Sequence, residues 1–116
     1  MNKIAIAQIE SSTDKQTNLK TALGLIKEAK SKTAELIAFP EFLMAYSPAS
    51  QSAEELTQVG ESVDGAFITA LRDAAKANGI AVIAPIYETS AVPNRVFDTA
   101  VWIDANGNVA SVYRKL

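Results

Sequence analysis

Residues 36–42 read LIAFPEF, and this stretch decides the fold because it ends a buried strand at a proline. The apolar run Leu36–Phe39 has the length of a strand, and Pro40 ends it because proline has no backbone N–H. Upstream, the nearly continuous apolar run Ile4–Ile9 indicates a strand covered on both faces. Between the two strands Asp14 can cap a helix. Its apolar stripe comprises Leu19, Ala22, Leu23, Ile26 and Ala29. The chain therefore opens with a strand–helix–strand unit, which favours parallel pairing and a right-handed crossover.

Downstream of residue 42 the pattern continues with helices and apolar strands. A short helix is predicted over Glu54–Val59, and a longer helix follows, which Asn78 and Gly79 end as a C-terminal cap. The apolar stripe of that longer helix comprises Phe67, Leu71, Ala74 and Ala75. The third buried strand is predicted over Ile80–Ala84.

The last part of the sequence predicts a hairpin. Two strands, Val96–Ile103 and Val109–Tyr113, flank Asn106 and Gly107, and Asn-Gly favours a hairpin because both residues tolerate positive φ. The sequence therefore predicts an α/β fold with a mixed sheet and a C-terminal β-hairpin. No linker divides residues 1–116, so we expect a single domain.

Composition excludes several classes of function. The 116 residues contain 11 basic and 13 acidic side chains, and a net charge of −2 favours neither nucleic acid nor an anionic membrane as partner. Cysteine and histidine are absent, which removes from this chain a cysteine nucleophile, a histidine base and their metal sites. No apolar run has the length of a membrane span or a secretory signal, so the expected compartment is the cytoplasm.

Three charged residues stand where strands are predicted to end. Glu41 follows a strand and a proline, and flanking Phe39 and Phe42 would partly desolvate it, a setting suited to general acid–base chemistry. Lys115 follows the last strand and can stabilise an oxyanion, and Glu88 can orient the lysine without contacting the substrate. The alternatives are that Glu41 is a solvated loop glutamate and that Lys115 and Glu88 are an ordinary surface charge and a loop residue. The first strand–helix turn has no glycine, which argues against a dinucleotide or phosphate loop, so no cofactor and no metal are expected.

Four motifs in order resemble the N-terminal part of the nitrilase superfamily of carbon–nitrogen hydrolases. These motifs are Phe39-Pro40-Glu41, Gly60-Glu61-Ser62, the stretch from Ala84 to Glu88 and the stretch from Ala110 to Lys115. The resemblance implies that Glu41 and Lys115 are catalytic, that Glu88 lies close to the lysine, and that the family cysteine lies in a later elbow with no counterpart here. Ala45 stands where the family often has glycine, and Asp98 stands where asparagine is common.

The resemblance further implies a four-layer α-β-β-α sandwich, of which this chain supplies the N-terminal half, truncated after Tyr113-Arg114-Lys115. The implied reaction converts an amide or a nitrile to an acid and ammonia or an amine by a Glu-Lys-Cys mechanism, in a homo-oligomer of two or more subunits. The chain alone is then expected to be inactive. The alternative is a non-catalytic α/β binding or interaction domain of the same fold, which the missing cysteine also fits.

Overall fold

The computed structural model describes residues 2–116 and places five strands in one sheet. The elements in chain order are β1 (Ile4–Ile6), α1 (Lys15–Ser31), β2 (Leu36–Ala38), α2 (Ala53–Val59), α3 (Ala66–Asn78), β3 (Ala81–Thr89), β4 (Val96–Ile103) and β5 (Val109–Arg114). The strands lie side by side in chain order; β1, β2 and β3 run parallel, and β4 and β5 are antiparallel to their neighbours. The predicted mixed α/β sheet with a terminal hairpin is confirmed. Within residues 2–116, no helix is long and apolar enough to cross a membrane.

Local signals in the sequence set the helix ends. The Asp14 carboxylate accepts the Thr17 N–H at 3.1 Å, and the hydroxyl and N–H of Thr17 lower the pKa of Asp14. Ser52 and Glu55 form a reciprocal capping box at the start of α2. Gly79 ends α3 in the left-handed conformation at φ 63°, which glycine adopts without steric cost. The predicted caps at Asp14 and Gly79 are both confirmed.

One face of the sheet carries the core. Helices α1 and α3 pack together on this face, and every second residue of β3 points toward them. The largest fully buried side chains are Phe67, Ile26, Ile37, Leu43, Met44, Ile68, Leu71, Ile80, Ile103, Val82, Val101 and Thr99. The helices therefore cover the side of the sheet to which Val82, Ala84 and Val101 belong.

The opposite face of the sheet is open and apolar. The register places Ile4, Leu36 and Ala81 in one row, and Ile83 and Trp102 lie opposite each other. Ile4 is 62% exposed and Trp102 47% exposed, so both hydrophobic side chains meet solvent. The apolar run of β1 suits a strand covered on both faces, but within residues 2–116 only one of its faces is covered, because both helices pack on the other side.

The hairpin is confirmed, but its turn differs from a two-residue Asn-Gly turn. Asp104 N–H donates to Asn108 O at 2.8 Å, and the Asp104 carboxylate accepts the N–H groups of Asn106 and Asn108. Among the residues of this turn only Gly107 has a positive φ, 82°, and a Cβ there would lie 2.8 Å from Arg72 O. The Asp104 side chain stabilises a wider loop, so Asn106 does not need the left-handed conformation.

Strand β3 runs five residues beyond its predicted end, through a proline. β2 ends at Ala38, which pairs with Ile83, so beyond this point β3 has no β2 neighbour. Ile83 O and Tyr87 O accept hydrogen bonds on the β2 side, and Pro85 lies between them with its nitrogen turned the same way. No strand lies there to receive an N–H, so the proline costs the sheet no hydrogen bond. The space beyond β2 is used by the loop that carries Glu41.

Candidate active site

Topology explains why Glu41 and Lys115 meet. Strands β2 and β5 point the same way, because β5 is antiparallel to β4 and β4 is antiparallel to β3. Their carboxyl ends thus lie at one edge of the sheet, although β3 and β4 separate them by roughly 14 Å. The loop after β2 spans this gap. Lys115 Nζ donates to Glu41 Oε1 at 3.2 Å, so the structure brings the two predicted site residues together.

The loop that carries Glu41 is anchored on both sides of it. Leu43, Met44 and Ala45 are buried, whereas Glu41 and Phe42 are exposed. Phe42 adopts φ 63°, a conformation that side chains other than glycine seldom take, and its carbonyl accepts the Ser11 hydroxyl at 2.5 Å. Such strain persists only where the surroundings enforce it, and here the buried residues that follow do so.

Asn18 is a further positioning residue, which the sequence patterns described above do not include. It lies on α1 at 2% exposure, accepts the Ser12 N–H at 2.9 Å, and donates to Ser12 O at 2.8 Å and to Met44 O at 3.1 Å. It thus ties the loop after β1 to the loop that carries Glu41. The signal was present: Asn18 precedes Ala22 by four residues and continues the buried stripe of α1 as a polar residue.

Lys115 is held at the site by its backbone as well as its side chain. Its N–H donates to Asp98 O at 2.8 Å, and its ammonium contacts Glu41. The hydrogen bond and charge of Glu41, followed by the charge of Asp98, raise the pKa of Lys115, so the side chain stays cationic at neutral pH. The side chains of Lys115 and Glu41 are 64% and 59% exposed. The desolvation of Glu41 by Phe39 and Phe42 that the sequence suggests is therefore not found in this chain.

Glu88 contacts Arg114 instead of the expected Lys115. Glu88 is 8% exposed, and its carboxylate accepts hydrogen bonds from Arg114 Nε at 2.8 Å, Arg114 Nη2 at 2.7 Å and Thr99 Oγ1 at 2.8 Å. The Arg114 guanidinium also lies 4.5 Å from the centre of the Phe97 ring. Register explains the difference, because Thr99 pairs with Arg114 on the helix side of the sheet, and the next residue in the chain is Lys115. The hydrogen bond from Arg114 lowers the pKa of Glu88.

A tyrosine and an aspartate lie next to the pair. Tyr87 and Asp98 are directly opposite on β3 and β4, on the open side of the sheet. Within residues 2–116 the Tyr87 hydroxyl is buried without a hydrogen-bond partner of good geometry; the nearby Ser47 hydroxyl donates to Gln51 at 2.6 Å. Burial first, then the charge of Asp98, raise the pKa of Tyr87.

A groove of about 490 Å³ lies beside Glu41. It is lined by Ile9, Glu10, Ser11, Pro40, Glu41, Phe42 and Tyr46. The Phe42 and Tyr46 rings meet edge to face with centroids 5.7 Å apart, so they form an aromatic wall. Within residues 2–116 no group of three or more acidic side chains could hold a metal ion. The arrangement is thus a carboxylate and an ammonium at the mouth of a small groove, where a base and an oxyanion donor can serve one small molecule.

The chain matches the family model for carbon-nitrogen hydrolases over residues 3–116. It is 30% identical over 114 residues to the nitrilase and fragile histidine triad fusion protein NitFhit of Drosophila melanogaster, covering 97% of this chain and 24% of that protein. The crystal structure of the C. elegans NitFhit protein shares its fold, with a TM-score of 0.86 at 21% identity, over all of this chain and 29% of that one.

An amidase from Nesterenkonia sp. superposes on 98% of this chain and 42% of its own, with a TM-score of 0.74 at 27% identity. A variant of that amidase with a glutamate replaced by leucine shows covalent addition of the acetamide moiety of fluoroacetamide at its active site cysteine. The present chain thus spans from about a quarter to under half of the length of the relatives it matches.

Proposed function

The chain belongs to the carbon-nitrogen hydrolase family, and from that premise we propose that it supplies the base and the lysine of an enzyme that hydrolyses amides or nitriles. The observation that carries the proposal is the 3.2 Å contact between Glu41 Oε1 and Lys115 Nζ, two residues far apart in the chain. Such a contact supports a site in which a proton acceptor and a cationic donor act on one reacting carbon.

In the proposed reaction Glu41 accepts the proton of a cysteine thiol, and the thiolate attacks the carbon of the amide or nitrile. For an amide, the carbonyl oxygen gains negative charge, and the Lys115 ammonium donates a hydrogen bond to it. The intermediate formed from the amide collapses, the C–N bond breaks, and the nitrogen takes the proton from Glu41 and leaves as ammonia or an amine. A nitrile instead gives a thioimidate, which adds one water before its nitrogen leaves as ammonia. Water, activated by Glu41, then hydrolyses the thioester and regenerates the thiol.

The nucleophile is the part of this site that the 116 residues do not contain. The chain has no cysteine, and a glutamate–lysine pair without one lacks the covalent route that divides amide hydrolysis into two easier steps. We therefore propose that residues 1–116 form part of a single hydrolase domain whose cysteine lies outside them. The open apolar face of the sheet supports this, because a second layer packed on it would bury Ile6 and Trp102.

The rival proposal is a non-catalytic binding domain of the same fold, which the absence of cysteine favours. The coding sequence after Leu116 separates the two. A reading frame that continues to a cysteine at a strand-to-helix elbow supports the hydrolase, and a stop codon supports the binding domain.

Covalent labelling tests the proposal chemically. The complete gene product is incubated with fluoroacetamide, and the adduct is located by mass spectrometry. We expect a single acetamide-derived adduct on a cysteine outside residues 1–116. We further expect Glu41→Gln to abolish ammonia release from simple aliphatic amides, while Glu54→Gln, which removes an exposed carboxylate on α2, leaves it unchanged. An active Glu41→Gln variant would contradict the assigned role.

A further inference from the structure

The groove beside Glu41 is acidic as well as aromatic. Glu10 and Glu41 are the charged side chains that line it, and no lysine or arginine does. Glu10 is exposed, and within residues 2–116 it makes no ion pair within 4.0 Å. Its charge therefore acts on whatever occupies the groove.

The charged residues beside the groove do not neutralise the carboxylates of its lining. Lys115 is the nearby cation, and its ammonium is already engaged by Glu41. Asp98 adds another carboxylate whose charge acts on both Lys115 and Tyr87, and it too has no ion-pair partner within 4.0 Å in the described part of the chain. Glu41 and Asp98 thus both act on the one ammonium, and Glu10 adds a further carboxylate in the groove lining, so the region has an excess of negative charge.

The remaining lining suits an uncharged or cationic group. Ile9 and Pro40 are apolar, and the rings of Phe42 and Tyr46 present an edge-to-face pair that is less than half exposed. Aromatic rings accept alkyl and aryl groups, and their faces also attract cations. A carboxylate placed here would lose water, and no guanidinium or ammonium of residues 2–116 lines the groove to replace it, while the Lys115 ammonium is already paired with Glu41.

We propose that this groove selects amides that carry no negative charge on the acyl side, an inference that rests on the proposed hydrolase function. Glu10 and Asp98 are the specificity-determining residues. Glu10 acts by electrostatic repulsion from the lining of the groove, and Asp98 does so from beside Lys115, outside that lining. Phe42 and Tyr46 accept the acyl chain. The substrate class is therefore a neutral or cationic small amide, as opposed to the monoamide of a dicarboxylic acid.

A matched pair of substrates tests this in the complete gene product. Succinamate and isohexanamide have the same shape and differ by a carboxylate in place of a branched alkyl end. We expect kcat/KM for succinamate to be at least about tenfold lower, the size of effect that a unit charge produces at a few ångströms in a partly hydrated site. Beta-alaninamide, which is cationic, is expected to be hydrolysed at least as well as isohexanamide.

Variants test whether Glu10 and Asp98 cause the discrimination against the anionic amide. Glu10→Gln and Asp98→Asn are each expected to raise kcat/KM for succinamate about threefold relative to isohexanamide, and added salt should narrow the gap in the wild type. Glu35→Gln is the control, because Glu35 is exposed at the start of β2, at the other end of the sheet. Equal rates for the two amides, or an unchanged ratio in Glu10→Gln, would overturn the inference alone. Absence of turnover with every amide would overturn the proposed function, and the inference with it.

Discussion

Replacing Asn18 by alanine tests how the loop that carries Glu41 is held. The Asn18 amide joins Ser12 and Met44, and the carbonyl of Met44 has no other described hydrogen-bond partner. The N–H of Ser12 likewise donates to Asn18 Oδ1 alone. Alanine removes both partners and leaves a buried carbonyl and a half-buried N–H without hydrogen bonds.

The expected loss of stability follows from these two groups. An unsatisfied buried polar group costs about 1–3 kcal/mol, and water can reach Ser12 more easily than Met44. We therefore expect Asn18→Ala to lower the free energy of unfolding by about 3 kcal/mol. Helix propensity opposes this, because alanine is favoured over asparagine in a helix by roughly 0.5 kcal/mol. If the hydrogen bonds of Asn18 contributed nothing to stability, Asn18→Ala would therefore be slightly more stable than the wild type.

The measurement is urea unfolding of the complete gene product, followed by circular dichroism, for wild type, Asn18→Ala and Asn106→Ala. Asn106 is exposed and its side chain makes no described hydrogen bond, so its replacement should change stability by less than about 0.5 kcal/mol. Because the loop carries Glu41, turnover should fall in Asn18→Ala even where the protein is folded. A variant as stable and as active as the wild type would refute the reasoning.

Three further expectations concern stability, association and activity. The hydrogen bond from Arg114 holds the pKa of Glu88 below its ordinary value of 4.5. The contribution of Glu88 to stability is therefore present above pH 4.5 and is lost as pH falls through the lower pKa of the folded state. Glu88→Gln should flatten the pH dependence of the urea midpoint below pH 4.5, and an unchanged slope would contradict this. The 116-residue chain by itself exposes Ile6 and Trp102 and should self-associate in sedimentation experiments, whereas a sharp two-state melt of a strict monomer would contradict an uncovered sheet. The same chain should release no ammonia from aliphatic amides, because it has no thiol, and robust turnover by it would contradict the assigned nucleophile.

The order of elements was predictable because short-range signals specify it. The apolar runs, the cap at Asp14 and the left-handed Gly79 each depend on neighbouring residues. The end of β3 was not predictable in this way, since Pro85 is tolerated only because β2 stops at Ala38. The exposure of Ile4 likewise depends on the face of the sheet on which the helices pack, and this is a property of the whole sheet and not of neighbouring residues.

One contact of the candidate site was predictable from the sequence and another was not. That Glu41 and Lys115 meet follows from strand direction, which the pattern indicates. Glu88 is different, because alternation along β5 puts Arg114 on its side of the sheet and Lys115 one residue further along. Asn18 shows how a polar residue on an apolar stripe can mark a loop anchor.

A double-mutant cycle on the complete gene product tests the central claim, that Glu41 and Lys115 act as one unit. The quantity is kcat/KM for a simple aliphatic amide in wild type, Glu41→Gln, Lys115→Ala and the double variant. Each single change is expected to lower it by about a thousandfold, and the double variant is expected to be no worse than the poorer single one, because either loss disables the same step. Wild-type turnover in Lys115→Ala, or losses that multiply in the double variant, would contradict a joint role.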